Sequence, residues 1–197
     1  MHIYIYNNPQ AVTQKEWEKD FLMLPSWRQK KVLKYRFLLD RVLCTKAFLL
    51  LKHGMEECYG ISQIPEFSYV ENGKPFFKEY PHIHFNMSHT KRGVMCVVDN
   101  VAVGCDIEDI PDNLDRDLCD YCFNKKETEQ ILQASQPTVQ FTRLWTLKET
   151  VLKLTGEGIN DNLPSLLTPE LMGKVEYNTV ECAEMGYVYS YGRFYVS

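Results

Sequence analysis

Phe141-Thr142-Arg143-Leu144-Trp145-Thr146-Leu147-Lys148-Glu149-Thr150-Val151-Leu152-Lys153-Leu154-Thr155-Gly156-Glu157-Gly158 reads as one amphipathic helix with its stop signal attached. Phe141, Leu144, Trp145, Val151 and Leu152 recur at helical period, and Gly156 can close the last turn in the left-handed region. Glu149 and Lys153 stand one turn apart and share a face. Alone, such a pair is an i, i+4 salt bridge worth about 0.2–0.5 kcal/mol, and Lys148 is its solvated neighbour. The next segment upstream changes that reading. In Gly104-Cys105-Asp106-Ile107-Glu108, strand alternation sends Asp106 and Glu108 to one face while Val101, Val103, Cys105 and Ile107 take the other. Three carboxylates and a lysine on two rigid elements indicate a metal-assisted site. Hard oxygen donors of this kind favour magnesium, which keeps several waters and bridges carboxylates to substrate phosphates.

Working outward, the first half opens with an alternating strand at His2–Asn7 and a helix around Thr13–Leu22. A basic helical region follows from Ser26 to Lys52, ended by Gly54. A strand pattern at Phe67–Glu71 runs into Asn72-Gly73, a hairpin signal, and then Lys74-Pro75-Phe76. Strands are predicted at His82–Met87, Val94–Val98 and Ala102–Glu108. The second half begins with a helix over Asp112–Cys122, then Asn124 as N-cap of a helix over Lys125–Ala134, which Pro137 breaks. The catalytic-looking helix spans about Val139–Leu154. After Pro164 and Pro169, two alternating stretches, Lys174–Cys182 and Gly186–Val196, read as an antiparallel pair. Helices followed by antiparallel strands, twice over, indicate an α+β fold.

Composition narrows the function classes. With 45% hydrophobic residues in 197, the chain can bury a sizeable core as one domain or two small ones. Met1–Gln10 has neither a basic nor a continuous apolar run, so no export signal is expected. The longest strongly apolar stretch, Ala47–Leu51, is far short of the roughly 20 residues of a membrane span. Seven cysteines, an odd number, fit reduced thiols in the cytoplasm. Cys119-Asp120-Tyr121-Cys122 is formally a Cys-x-x-Cys, but no second pair of zinc spacing follows it, so core and surface thiols are the expectation. Net charge is −4, yet Trp27–Lys52 holds eight basic residues against one acid, Asp40. A basic patch confined to one segment of an acidic chain suits a small phosphorylated ligand better than nucleic acid.

A third segment, Phe85-Asn86-Met87-Ser88-His89-Thr90, completes an ordered set: a basic helix, Asn72-Gly73-Lys74-Pro75, Asn-x-Ser-His, Gly-x-Asp-Ile-Glu and Trp-x-x-Lys-Glu-x-x-x-Lys. From about Arg28 to Gly158 the chain resembles the Sfp-type 4'-phosphopantetheinyl transferases, which move phosphopantetheine from coenzyme A to a serine of a carrier protein. The resemblance implies two similar lobes related by a pseudo-twofold, an N-terminal one over residues 1–101 on the coenzyme A nucleotide side and a C-terminal one over 102–197 carrying metal and catalytic helix. It implies magnesium at Asp106, Glu108 and Glu149, with Glu149 also the general base and Lys153 neutralising the transferred phosphate. It sets Ser88 and His89 at the 3'-phosphate of coenzyme A, with Thr90 adding a hydroxyl, and Gly73, Lys74 and Pro75 beside the adenine nucleotide. Lys148 is expected on the same ligand. The basic helix offers Arg41 as phosphate clamp, with Arg28, Lys30 and Lys31 as interchangeable partners. Trp145 is expected to pack between the lobes. The implied partner is an apo acyl or peptidyl carrier protein, and the implied state is a monomer with no nucleic-acid or membrane partner; an exposed apolar strip near Tyr121, Phe123 and the following helix is the expected place for the carrier to dock.

Against the family pattern, Thr150 replaces a small residue and Cys105 fills the slot before the aspartate. Three rivals remain at this level: a transition-metal cluster of His82, His84 and His89, a metal-dependent hydrolase of nucleotide pyrophosphates, and a coenzyme A-binding module without transfer.

Overall fold

A computed structural model describes residues 1–158 and 162–195. The elements run β1 (His2–Asn7), α1 (Gln14–Leu22), α2 (Ser26–Val32), α3 (Leu38–Tyr59), β2 (Ser68–Tyr69), β3 (Pro75–Phe76), β4 (His84–His89), β5 (Gly93–Asp99), β6 (Val103–Asp109), α4 (Arg116–Cys122), α5 (Lys125–Gln133), α6 (Pro137–Thr155), α7 (Pro169–Met172), β7 (Val175–Cys182) and β8 (Tyr187–Phe194). The fold is mixed, with antiparallel sheets and seven α-helices among the described residues.

One sheet has the order β1-β5-β4, with His2 opposite Val98 and Ser88 opposite Met95. A second has the order β6-β8-β7, with Asp106 opposite Ser190. β5, Gly-Val-Met-Cys-Val-Val-Asp, is buried along its whole length because both of its faces are covered. Cys96 and Val98 pack into the cluster built on α3, with Phe48, Leu51 and Met55. Met95 and Val97 meet Val103, Cys105, Ile107 and Tyr187 of the second sheet. α6 lies on β6 and β8, while β4 and β6, each an edge strand of its own sheet, lie side by side. That arrangement brings the Asn-x-Ser-His and Asp-Ile-Glu segments together.

Several boundaries differ from the sequence reading. The basic region is two helices, not one: α2 ends at Val32, and Phe37 caps α3 in an extended conformation. The reason lies in the link, where Leu33 and Phe37 stay exposed, so no continuous apolar face carries one helix across. Gly54 does not stop α3. It lies inside the helix, where a Cβ would come within 2.7 Å of the Tyr4 ring, and Gly60 closes the helix instead with φ +68°. The strand expected over Phe67–Glu71 pairs only at Ser68–Tyr69, against Pro75–Phe76. The helix expected from Asp112 starts at Arg116, capped by Asp115. β8 ends at Phe194, and Val196, read as its end, lies outside the described residues.

Candidate active site

Asp106 is the centre of the constellation. It projects from β6 toward α6 and is 2% exposed. Its Oδ1 accepts hydrogen bonds from Ser88 Oγ on β4 at 2.8 Å and from Lys153 Nζ on α6 at 2.5 Å, while Lys153 Nζ also donates to Ser88 Oγ at 3.2 Å. Burial opposes a charge on Lys153, but the charge and hydrogen bond of Asp106 outweigh it and hold the ammonium above its ordinary pKa. Gly104 permits this closeness, since α6 passes directly over its Cα.

Glu149 and Glu108 complete the acidic wall. Burial raises the Glu149 carboxyl, Lys153 pulls it back and Asp106 pushes it up again. Glu108 is pushed up to about 7, by burial first and then by Asp106, with a hydrogen bond from Trp145 acting against the rise. Trp145 therefore touches the site as well as packing against Phe123 and Leu147 and their neighbours. Asp106 Oδ2 and Glu149 Oε1 are buried without a hydrogen-bond partner. Two orphaned carboxylate oxygens and two raised carboxyls fit a hard divalent cation, which would relieve both. The ligands are not drawn into one closed set: among the described residues no three His, Cys, Asp or Glu side chains converge on one point, and Asp106 Oδ1 is taken up by Lys153 and Ser88. The histidines do not converge either, since His84 and His89 point to opposite faces of β4.

A groove bearing lysines and aromatic rings lies beside this centre and ends at His89, next to Ser88 on β4. A cavity of about 690 Å³ is lined by Trp27, Lys30, Lys31, Lys34, Tyr35, Phe67 and Tyr69, with Glu66 as its one acid. It shares Lys31, Tyr35, Phe67 and Tyr69 with a second cavity of about 190 Å³, which reaches Gly73, Pro75 and His89. His89 is exposed at the strand end. The walls around it and then the Lys153 charge hold its imidazole below the usual pKa, so the ring stays neutral near pH 7. Thr90 forms the β4–β5 turn, its N–H bonded to the Gly93 carbonyl.

Three of the expected ligand residues turn their charged groups elsewhere. Lys148 is fully buried, its Nζ bonded to Glu127 Oε2 at 2.8 Å and to the Leu163 carbonyl at 2.6 Å, over the Phe123 ring. It braces α6 against α5, so no donor is turned toward the groove. Arg28, by contrast, lines the smaller cavity, although it is 4% exposed, bonded to the Cys44 carbonyl and packed against the Phe48 and Phe67 rings. Arg41 is tied to the Tyr35 carbonyl over Trp17 and lines neither cavity. Lys74 points its Nζ at the carbonyls of Val103 and Lys153. Phe123, expected on an exposed strip, is buried, whereas Leu118 and Tyr121 on α4 are exposed.

Sequence reading undervalued Asn86. It is 5% exposed, and its Oδ1 accepts the Cys105 N–H at 3.1 Å, substituting a side chain for the backbone ladder that the neighbouring edges lack. The signal was present: a polar residue between Phe85 and Met87 in an apolar strand has to find a partner.

A family model described as the 4'-phosphopantetheinyl transferase superfamily matches residues 102–177. The chain is 34% identical over 135 residues to the 4'-phosphopantetheinyl transferase psf-1 of Bacillus pumilus, covering 67% of this chain and 58% of that protein. It is 27% identical over 168 residues to 4'-phosphopantetheinyl transferase Sfp of Bacillus subtilis (strain 168), covering 84% and 75%. With the 4'-phosphopantetheinyl transferase AcpT of Salmonella typhimurium it shares 34% identity over 119 residues, covering 55% and 62%. The match thus spans less than two thirds of the length of psf-1 and of AcpT. The matched region contains Asp106, Glu108, Glu149 and Lys153 in the geometry above, and on these grounds the chain belongs to the 4'-phosphopantetheinyl transferase superfamily, among its Sfp-type members.

Proposed function

We propose that this chain transfers 4'-phosphopantetheine from coenzyme A to a serine of an acyl or peptidyl carrier protein, with magnesium, and releases adenosine 3',5'-bisphosphate. The observation that carries this reading is the buried Asp106–Lys153–Ser88 centre, beside which lies a lysine-bearing aromatic groove whose lining ends at His89, the neighbour of Ser88 on β4. A dianionic nucleotide end and a diphosphate fit such a path; the names of the relatives support the same reaction. The division into a nucleotide lobe over 1–101 and a catalytic lobe over 102–197 is part of the proposal. It is supported by one three-stranded sheet and one long helix on either side of that boundary.

On this reading Lys30, Lys31 and Lys34 take the nucleotide phosphates, Trp27, Tyr35 and Tyr69 offer faces to the base, and Gly73, Pro75 and His89 wall the passage. Asp106, Glu108 and Glu149 would hold the cation, which supplies charge neutralisation on the diphosphate when bound. Glu149 accepts the proton of the carrier serine as its oxygen forms a bond to the β-phosphorus. The bond from that phosphorus to the bridging oxygen breaks, and charge gathers on the departing bisphosphate, where the Lys153 ammonium stabilises it. Leu118 and Tyr121 are the proposed docking strip for the carrier. A cytoplasmic monomer is proposed with it, supported by seven free cysteines and a single copy of each motif. No described helix is long and apolar enough to cross a membrane.

Glu149→Gln tests the assignment. Turnover is expected to fall by about 10²-fold or more while coenzyme A affinity stays close to wild type; a variant with unaltered turnover removes Glu149 as the base.

A further inference from the structure

The groove is walled by the first half of the chain and the reacting groups stand on the second, and the tip of the β2–β3 hairpin joins the two. Gly73 supplies the turn with φ +79°, its N–H bonded to the Val70 carbonyl at 2.9 Å. On one side Gly73 and Pro75 line the groove with Lys31 and His89. On the other side the hairpin grips α6. Lys74 Nζ donates to the Lys153 carbonyl at 2.5 Å and to the Val103 carbonyl at 3.0 Å, and Asn72 Nδ2 donates to the Gly156 carbonyl at 2.6 Å.

The carbonyls of a helix's last turn have no partners within the helix, and a cation there is favoured by the helix dipole. Three donors from one hairpin thus cap α6 and fix the start of β6. The backbone so held includes Lys153, whose own Nζ sits on Asp106.

The structure assigns Lys74, with Asn72 beside it, to positioning: the pair clamps the last turn of α6, and so the Lys153 ammonium, to the hairpin that walls the groove. This rests on the transfer reaction proposed above and replaces the expectation that the Lys74 charge meets the nucleotide. Two of its three N–H donors already lie on carbonyls. A nucleotide seated against Gly73 and Pro75 then stiffens the same hairpin that holds the catalytic lysine, which couples binding to alignment.

Lys74→Ala, Lys74→Arg and Asn72→Ala test this with three readouts: hydrogen exchange of α6 in the ligand-free protein, coenzyme A affinity by calorimetry, and kcat against KM for coenzyme A. For Lys74→Ala the amides from Leu152 to Gly156 are expected to exchange faster. Its kcat is expected to fall about tenfold with affinity held within about twofold, the pattern of misplaced rather than missing contacts. Lys74→Arg recovers both, since a guanidinium can serve the same two carbonyls. Asn72→Ala moves exchange and kcat in the same direction by less.

Unchanged exchange in Lys74→Ala overturns the clamp, as does a loss that falls on coenzyme A affinity with kcat intact. If Lys74→Ala does not fold, Asn72→Ala decides by the same criteria. If the wild-type protein transfers nothing, the transferase reading fails, and the exchange data alone still judge the clamp.

Discussion

A Cβ at Gly104 would stand 2.1 Å from the Thr150 carbonyl oxygen and 2.7 Å from the Leu154 nitrogen, both main-chain atoms of α6. Neither can swing aside, so Gly104→Ala has to push the helix off the strand that carries Asp106. Chemical denaturation is expected to show a loss of about 3 kcal/mol, the upper end for overpacking a core. The same logic separates the two lysines of the helix. Lys148→Ala takes the ammonium from Glu127 and from the Leu163 carbonyl and is expected to cost about 3 kcal/mol of stability, with coenzyme A affinity unchanged; a selective loss of that affinity would return Lys148 to the groove. At this scale the grouping of Glu149, Lys153 and Asp106 was legible because their types and spacings fit one chemistry, whereas Ser88, expected at a phosphate of the ligand, bonds Asp106 and Lys153 instead. The partners of Lys74 and Arg41 were not legible, because a cation's partner is set by which carbonyl or ring the folded chain brings to it.

α6 was the most legible element. Its apolar stripe, Pro137 at its start and Gly156 at its end agree with one another, and Gly156 takes φ +77°. The boundaries that shifted, at Gly54 and at Leu33–Phe37, depend on contacts with β1 and on exposure, neither of which is a local signal. Between α6 and β6 the carboxylates crowd, and that gives a pH dependence. Glu108 moves from its ordinary 4.5 to about 7 on folding. Between those values the folded state holds the extra proton, so stability falls as pH rises through the window and levels off above it. With chelator present, the melting temperature is expected to drop from about pH 5 to about pH 8, and Glu108→Gln is expected to flatten that slope. An equal slope in the variant would place the titration on another group.

Across the whole molecule, charge is divided: the chain is acidic, yet exposed or half-buried lysines of α2 and the link after it line the groove. Coenzyme A affinity is therefore expected to weaken with added salt, and Lys31→Ala, at the junction of the two cavities, to weaken it about tenfold. Calorimetry at two ionic strengths checks both; affinity indifferent to salt and to Lys31 would move the ligand away from this groove. The antiparallel pairing of β7 with β8 was readable from alternation, while the long-range pairings of β1 with β5 and of β6 with β8 were not, nor was the side-by-side placement of β4 and β6, which rests on Asn86 and Ser88 reaching across two edges that form no ladder. The most direct test of the central claim is intact-mass spectrometry of an apo carrier protein incubated with this protein, coenzyme A and magnesium, beside a chelated control and a carrier serine-to-alanine control. The account requires a magnesium-dependent gain of one phosphopantetheinyl group on the serine. Carriers that stay unmodified while adenosine bisphosphate accumulates would contradict it in favour of hydrolysis, and carriers unmodified with no product at all would reduce the protein to a binding module.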